Sequence, residues 1–193
     1  MKILRPYQNS CHDSVIKNYN ADIIKQLIVL FTGAGKTHLL IKLLERMGFH
    51  RVLWLSFQEE LVSQSALAFI ADKYDQELHD YVKKIGFIEY IKQGGCGTPQ
   101  FTIGAIKAEV MQPNANVVMG SVMTVHKRLH LLEPNHFDCI VCDEAHLYMS
   151  VSATKVLEHF SPKLLIGCTA TPHRADGLSL GNIFDKITFE LGS

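Results

Sequence analysis

The chain has 193 residues, 47% hydrophobic and 20% charged, which suits one sizeable α/β domain with a buried core. Lysine plus arginine and aspartate plus glutamate both total 19, so the formal net charge is zero and excludes a nucleic-acid grip through bulk positive charge. No apolar run approaches the ~20 residues that a membrane-spanning helix needs.

The cysteines follow neither a disulfide pattern nor a metal-binding pattern. They are Cys11, Cys96, Cys139, Cys142 and Cys168. Cys139 and Cys142 fall in a strand-like run, so their spacing indicates core thiols rather than a zinc site. The N-terminus also lacks a signal-peptide pattern, and together these features predict an intracellular protein in a reducing compartment.

Short β-type runs alternate with longer helical patterns along the chain, which is typical of a parallel sheet wrapped by helices. The predicted strands are 26–31, 51–56, 101–106, 116–120, 137–143, 163–168 and 187–190. The predicted helices are 7–18, 37–47, 59–85, 122–132 and 152–160. Segment 73–100 combines a charged helix with a turn-rich loop, and we predict that it is an exposed insertion within a single domain, 1–193.

A glycine-rich turn follows the first predicted strand and opens the second predicted helix. Its residues are Thr32, Gly33, Ala34, Gly35, Lys36 and Thr37, although Leu30 stands where a phosphate-binding loop usually has its first glycine. The glycines let several backbone N–H groups point at one anion, and the helix N-terminus favours negative charge there. Lys36 would then reach the β- and γ-phosphates of a nucleotide, and the Thr37 hydroxyl would bind Mg²⁺.

Two acids, Asp143 and Glu144, end an apolar strand and are followed by Ala145 and His146. A strand end at the carboxyl edge of a parallel sheet is where ligands bind. Nucleotide hydrolysis needs one acid that holds magnesium and another that orients the attacking water. We therefore predict Lys36, Asp143 and Glu144 as catalytic residues, with Asp143 and Thr37 as the metal-binding pair.

Three motifs in the right order carry a family resemblance. Asp143-Glu144-Ala145-His146 resembles the DEAH form of the Walker B motif of superfamily-two helicases. Residues 169–177 resemble their third motif, and Leu4-Arg5-Pro6-Tyr7-Gln8 is similar to the adenine-recognising segment of the branch that includes type III restriction-enzyme motor subunits. The resemblance spans nearly the whole chain.

This resemblance implies a RecA-like P-loop domain that binds ATP and Mg²⁺, with a largely parallel sheet flanked by helices on both faces. Gln8 would read the adenine edge, and Arg5 would support the base. His146, Thr169, Ala170 and Thr171 would couple the nucleotide site to a nucleic-acid cleft. A second RecA-like lobe, which supplies an arginine finger in the family, has no counterpart among these 193 residues.

The expected partner is nucleic acid, with DNA favoured over RNA because the motifs look most like those of duplex-DNA motors. The residues expected to contact it are Ser56, Gln64, Ser121, Thr124 and Lys127. Hydroxyls and backbone N–H groups predominate in this set, so the contacts would fall mainly on phosphates.

Three functions remain open from the sequence. The first is an ATPase lobe that drives unwinding of nucleic acid or translocation along it. The second is a nucleotide-gated clamp for nucleic acid or protein that hardly hydrolyses ATP, against which the intact Lys36, Asp143 and Glu144 argue. The third is a P-loop ATPase unrelated to helicases, against which the ordered motifs argue.

Overall fold

The computed structural model describes residues 4–171 and 180–192. The helices are α1 (Pro6–Tyr19), α2 (Lys36–Met47), α3 (Glu59–Lys73), α4 (Gln76–Ile85), α5 (Phe87–Lys92), α6 (Val122–Lys127) and α7 (Val151–His159). The strands are β1 (Lys25–Leu30), β2 (Val52–Ser56), β3 (Gly97–Thr98), β4 (Phe101–Lys107), β5 (Val110–Met111), β6 (Val117–Ser121), β7 (Cys139–Asp143), β8 (Leu164–Thr169) and β9 (Lys186–Leu191). Single turns of 3₁₀-helix lie at Leu129–Leu131, Ala145–Leu147 and Leu180–Asn182.

The strands form one sheet in the order β3-β4-β6-β2-β7-β8-β1-β9, with β5 paired to β4. Neighbours from β4 to β9 along this order run parallel, whereas the short strands β3 and β5 are antiparallel to β4. A largely parallel sheet needs helical crossovers, and the helices between the strands supply them. The predicted fold class is therefore confirmed.

The sheet separates two hydrophobic clusters, as expected for strands covered on both faces. Along β7, Cys139 and Val141 belong to the cluster that contains α1 to α5, whereas Ile140 and Cys142 belong to the cluster with α6 and α7. Cys139 and Cys142 are free and fully buried on opposite faces, because successive strand residues point in opposite directions. They are core thiols, as predicted.

The predicted helix 59–85 is wrong as one element, because it is broken between α3 and α4. Tyr74 ends α3 in an extended conformation, and Asp75 begins α4 as its N-cap. The Asp75 side chain accepts a hydrogen bond from the Leu78 N–H at 2.8 Å. A short acidic side chain can accept a hydrogen bond from a backbone N–H that would otherwise be unpaired in the first turn of a helix. Asp75 therefore favours the start of a new helix at this point. Similarly, the predicted helix 122–132 ends at Lys127 and continues only as a 3₁₀-turn.

Segment 73–100 combines many exposed residues with a buried face. Its helices bury Val82, Phe87, Tyr90 and Ile91 in the same cluster as α1 and α2. The Tyr74 hydroxyl donates a hydrogen bond to the Phe101 carbonyl at 2.5 Å, which ties the start of the segment to β4. An amphipathic helix is stable mainly through the face that it buries, and α4 and α5 bury theirs here.

None of the described helices is long and apolar enough to cross a membrane.

Candidate functional site

The carboxyl ends of three adjacent strands bring the predicted nucleotide motifs together. In the sheet order, β8 lies between β7 and β1, with Asp143 paired to Cys168 and Val29 paired to Thr169. The glycine-rich turn leaves β1, the acid pair ends β7, and Thr169 ends β8. Three segments that are far apart in sequence therefore meet at one edge, where ligands of such sheets bind.

The glycine-rich turn has the backbone that its sequence predicted. Gly33 and Gly35 have φ angles of 86° and 75°, in the left-handed region that side chains disfavour. Gly35 is the N-cap of α2, which begins at Lys36, one residue earlier than predicted. Thr32, Gly33 and Gly35 are exposed, so the turn presents its backbone to solvent, while Ala34 is buried beneath it. Thr37 is half-buried in the first turn of α2.

Lys36 and Glu144 form an ion pair across β8, with Lys36 Nζ 3.4 Å from Glu144 Oε1. Glu144 has a φ of 51° and a ψ of 58°, which is left-handed and uncommon for a residue other than glycine. This conformation turns the side chain back from the strand end toward the glycine-rich turn. The two motifs thus meet directly, as phosphate binding and water activation in one site require.

Asp143 lies deeper in the site, with 7% of its surface exposed. One of its carboxylate oxygens, Oδ1, accepts a hydrogen bond from the Glu144 N–H at 3.1 Å. Burial raises the pKa of Asp143, and the negative charge of Glu144 raises it further, whereas the positive charge of Lys36 opposes both. Such competition between desolvation and specific charges is common in functional sites.

The chemistry of this donor set fits magnesium bound with a nucleotide rather than a metal caged by protein. Among the described residues, no group of three or more His, Cys, Asp and Glu side chains could hold a metal. Magnesium typically takes one or two protein oxygens and completes its octahedral shell with water and phosphate oxygens. The Asp143 carboxylate and the Thr37 hydroxyl are oxygen ligands of this kind.

The residues predicted to recognise adenine, Arg5 and Gln8, are at the start of the chain, and Gln8 lies against the glycine-rich turn. Gln8 is 3% exposed, and its Oε1 accepts from the Arg5 N–H at 2.9 Å while its Nε2 donates to the Ala34 carbonyl at 3.3 Å. Arg5 is exposed, and its side chain reaches the Tyr7 hydroxyl at 3.4 Å. Each end of the Gln8 carboxamide therefore makes one hydrogen bond within the protein in this conformation.

Tyr7 also contacts the glycine-rich turn, which the sequence did not predict. Its hydroxyl donates a 2.6 Å hydrogen bond to the Ala34 carbonyl, the same oxygen that Gln8 contacts. The signal was available, because Tyr7 is next to Gln8 within the recognised segment. The sequence does not show that the Tyr7 side chain points from α1 toward the glycine-rich turn, because that direction is determined by packing.

The predicted coupling residues form a short hydrogen-bonded chain that leads out of the acid motif. His146 Nδ1 lies 3.0 Å from Thr169 Oγ1, and Thr169 Oγ1 contacts both the carbonyl and the N–H of Thr171 at 3.1 Å. Thr169 is buried, Ala170 is half-buried and Thr171 is exposed. The remainder of this motif, 172–177, lies outside the described residues.

The predicted nucleic-acid residues lie at the ends of β2 and β6 and on the helices α3 and α6 that follow these strands, and they are not all accessible. Ser56 and Ser121 are paired residues at the ends of β2 and β6. Ser121 and Thr124 are half-buried, and Gln64 and Lys127 are exposed. Ser56 is 0% exposed and its hydroxyl lacks a hydrogen-bond partner among the described residues, so it does not face solvent.

Tyr148 connects the acid motif to β2 and was also missed. It is fully buried, and its hydroxyl donates a 2.7 Å hydrogen bond to the Leu55 carbonyl. Its ring packs edge-on against Phe57, with 5.0 Å between centroids. Tyr148 follows the acid motif closely in sequence, yet a lone tyrosine after a motif gives no indication of its partner across the sheet.

The fold and site define the chain as an ATP-binding lobe of the helicase type, and comparison with known proteins agrees. The family model for the type III restriction enzyme res subunit matches residues 1–174. The chain therefore belongs to this family, as its motifs predicted.

Two yeast proteins are similar over almost the whole chain. It is 26% identical to the putative ATP-dependent helicase IRC3 of Saccharomyces cerevisiae, covering 98% of this chain and 26% of the relative. It is 27% identical to the putative mitochondrial ATP-dependent helicase irc3 of Schizosaccharomyces pombe, covering 96% of this chain and 29% of the relative. The chain thus spans little more than a quarter of these curated relatives.

Solved structures show the same fold at lower identity. A nuclease-deletion mutant of the Type ISP restriction-modification enzyme LlaGI, in complex with a DNA substrate mimic, matches 99% of this chain and 20% of its own length, with a TM-score of 0.69 and 17% identity. The Hef helicase domain of Pyrococcus furiosus matches 97% of this chain and 38% of its own length, with a TM-score of 0.68 and 20% identity.

Proposed function

We propose that this chain is the ATP-binding lobe of a nucleic-acid-dependent ATPase that couples ATP hydrolysis to unwinding of, or translocation on, nucleic acid. The observation that carries the proposal is the ion pair between Lys36 and Glu144, at 3.4 Å. It joins a phosphate-binding lysine to a carboxylate suited to orienting water, in a site that a glycine-rich turn and a buried acid complete.

In this proposal, each group of site residues has a separate role in binding or hydrolysing ATP. Backbone N–H groups of residues 33–37 and the N-terminus of α2 bind the phosphates, and Lys36 exchanges Glu144 for the terminal phosphate oxygens. Glu144, released from that pair, orients and deprotonates the attacking water. Thr37 and Asp143 would hold magnesium, which would supply charge neutralisation at the phosphates of a bound nucleotide.

Adenine recognition by Gln8 is compatible with the observed contacts. A carboxamide oxygen can accept two hydrogen bonds and its nitrogen can donate two. In the described structure the Arg5 N–H occupies one position on the oxygen and the Ala34 carbonyl occupies one on the nitrogen. One acceptor position and one donor remain to pair with N6 and N7 of adenine, while the other two hold Gln8 against the glycine-rich turn.

DNA is the preferred nucleic acid. A structural relative is described in complex with a DNA substrate mimic, and another, the Type ISP enzyme LlaBIII, is described as bound to DNA. The surface that supports contact is the edge formed by β2 and β6, beside the nucleotide site, where Gln64, Thr124 and Lys127 are accessible. A second RecA-like lobe in a longer protein would complete the cleft.

The experiment that tests the nucleotide site is ligand-induced thermal stabilisation of this chain. ATP with Mg²⁺ should raise the melting temperature of the wild type, since saturation at 100 times the Kd adds about 2.7 kcal/mol to the free energy of unfolding. Lys36→Ala should abolish that shift. Lys155→Ala, which removes an exposed lysine from α7, is the matched control and should keep it. An undiminished shift in Lys36→Ala would contradict the assignment.

A further inference from the structure

Trp54 carries a buried hydrogen-bond donor without a partner. It is the chain's single tryptophan, it lies in β2, and it is 0% exposed. Its indole Nε1 makes no hydrogen bond within residues 4–171 and 180–192. Leaving a buried donor unsatisfied typically costs about 1–3 kcal/mol, so such a group in a fully packed strand needs a physical explanation.

The strand register places this donor beneath Asp143. Trp54 of β2 is paired with Val141 of the parallel strand β7. Asp143 follows Val141 on the same face, because side chains of alternate strand residues point the same way. Trp54 and Val141 both belong to the cluster on the α1 to α5 side, the side from which Lys36 of α2 approaches the acids.

The strand register places the indole N–H close to the Asp143 carboxylate, one residue pair below it on the same face of the sheet. Hydrogen bonding from the Trp54 side chain makes a minor contribution that lowers the pKa of Asp143, against the larger effects of burial and of Glu144. The contact nevertheless falls outside the geometry of a full hydrogen bond. Phe69 packs edge-on against the indole, with 5.3 Å between centroids.

We propose that Trp54 is a positioning residue for the magnesium-binding carboxylate, and that its indole N–H completes a hydrogen bond to Asp143 when magnesium and nucleotide draw that carboxylate into place. The inference rests on the proposed ATPase function. Asp143 would then be held by two donors, the Glu144 backbone N–H on Oδ1 and the indole N–H, leaving its remaining lone pairs for the metal or its bound water.

The first test uses the indole resonance in a ¹H–¹⁵N NMR spectrum, since one tryptophan gives one such signal. In the wild type the resonance should move when Mg²⁺ and ATP are added together. In Asp143→Asn without ligand it should already differ from wild type. Asp138→Asn, which removes the same charge at the other end of the strand, should leave it in place.

The two possible failures are distinguishable. If calorimetry shows no binding of ATP with Mg²⁺, the proposed function fails. If ATP and Mg²⁺ bind and the indole resonance stays unmoved by both ligand and Asp143→Asn, the role of Trp54 is overturned and the proposed function stands.

The second test is Trp54→Phe, which keeps an aromatic ring and removes the donor. The Mg²⁺ concentration for half-maximal ATP binding should rise about tenfold, as for the loss of one hydrogen bond to a charged group. ATP affinity in EDTA should stay unchanged. Phe69→Leu is the control for packing, and should lower the melting temperature without shifting the Mg²⁺ dependence. An unshifted Mg²⁺ dependence in Trp54→Phe would contradict the proposal.

Discussion

At the residue scale, Glu144 combines an unfavourable backbone conformation with a side chain that we propose to orient the attacking water. A left-handed conformation costs roughly 1–2 kcal/mol for a residue with a Cβ, and it persists only where the surroundings impose it. Here the surroundings are the buried Ala145 turn on one side and Lys36 on the other. Strain held at a carboxylate that faces a phosphate-binding lysine is consistent with a site built for catalysis rather than for stability.

Glu144→Gln should therefore separate binding from turnover. The amide keeps the size of the side chain and the backbone conformation but cannot accept a proton from water. In a longer protein that contains both lobes, ATP affinity should persist while kcat falls by about 10²-fold or more, the scale expected for the loss of a general base. Steady-state kinetics and a binding isotherm measure the two quantities.

Asp138→Asn is the control for that experiment, because Asp138 lies before β7 and is paired with Arg51 and Lys163 instead of the nucleotide site. It should leave kcat unchanged. Normal turnover in Glu144→Gln would refute the assignment of the base.

At the element scale, the sheet order decides which motifs are neighbours. Along the carboxyl edge of the sheet, the strands follow the order β6, β2, β7, β8 and β1. The acid pair at the end of β7 therefore lies between two groups of residues. On one side are the motifs that follow β8 and β1, and on the other are Ser121 and Ser56 at the ends of β6 and β2. Tyr148 reaches from the turn after the acids to the Leu55 carbonyl in β2. This hydrogen bond connects the end of β2 to the acid motif. It therefore links the part of the edge that carries the nucleotide motifs to the part that carries Ser56 and Ser121.

The break between α3 and α4 also gives an element-scale prediction. Asp75→Ala should lower the free energy of unfolding by about 1 kcal/mol, because it removes the acceptor for the Leu78 N–H. Asp75→Asn retains an oxygen acceptor and should lose much less. Urea denaturation followed by circular dichroism measures both, and equal losses in the two variants would show that the cap does not stabilise α4.

At the scale of the whole molecule, several of the described cations pair with carboxylates within the protein. Lys42, Arg46, Arg51, Lys73 and Lys163 each form an ion pair. These pairs and the zero net charge both reduce the positive charge available to displace counterions from nucleic acid.

We therefore expect this lobe alone to bind nucleic acid weakly, with a slope of log affinity against log salt of magnitude below about 3, since each neutralised phosphate contributes about 0.9. Fluorescence anisotropy across a salt series measures the slope. Lys127→Ala should reduce it, whereas Lys155→Ala should not. A steep slope would reveal a basic surface beyond the pairs described.

We also expect the 193-residue chain to bind ATP and yet turn it over near background, with or without DNA or RNA. Charge that develops on the γ-phosphoryl oxygens must be neutralised from several sides, and an arginine finger in related enzymes contributes roughly 10³–10⁵ in rate. The proposed second lobe would supply that charge. Robust nucleic-acid-stimulated hydrolysis by the chain alone, measured as phosphate release while it stays monomeric, would contradict the two-lobe proposal.

The sequence by itself determined the fold class and the local chemistry of the motifs. Parallel strands buried on both faces leave continuous apolar runs, and the glycine-rich turn has a residue pattern that follows from its backbone demands. Gly33 and Gly35 accordingly have the left-handed conformations that their positions predicted. These features depend on residues that are close together in the chain, so a short stretch of sequence is enough to predict them.

Tertiary structure alone decided which of these residues meet and which are hidden. The Lys36–Glu144 pair, the two contacts on the Ala34 carbonyl and the Trp54 donor beneath Asp143 join residues far apart in the chain. Ser56 looked accessible in sequence and is buried, and segment 73–100 packs part of its surface on the core. The burial of a residue depends on which elements pack against its strand or helix. A single sequence does not show directly which strands become neighbours in the sheet.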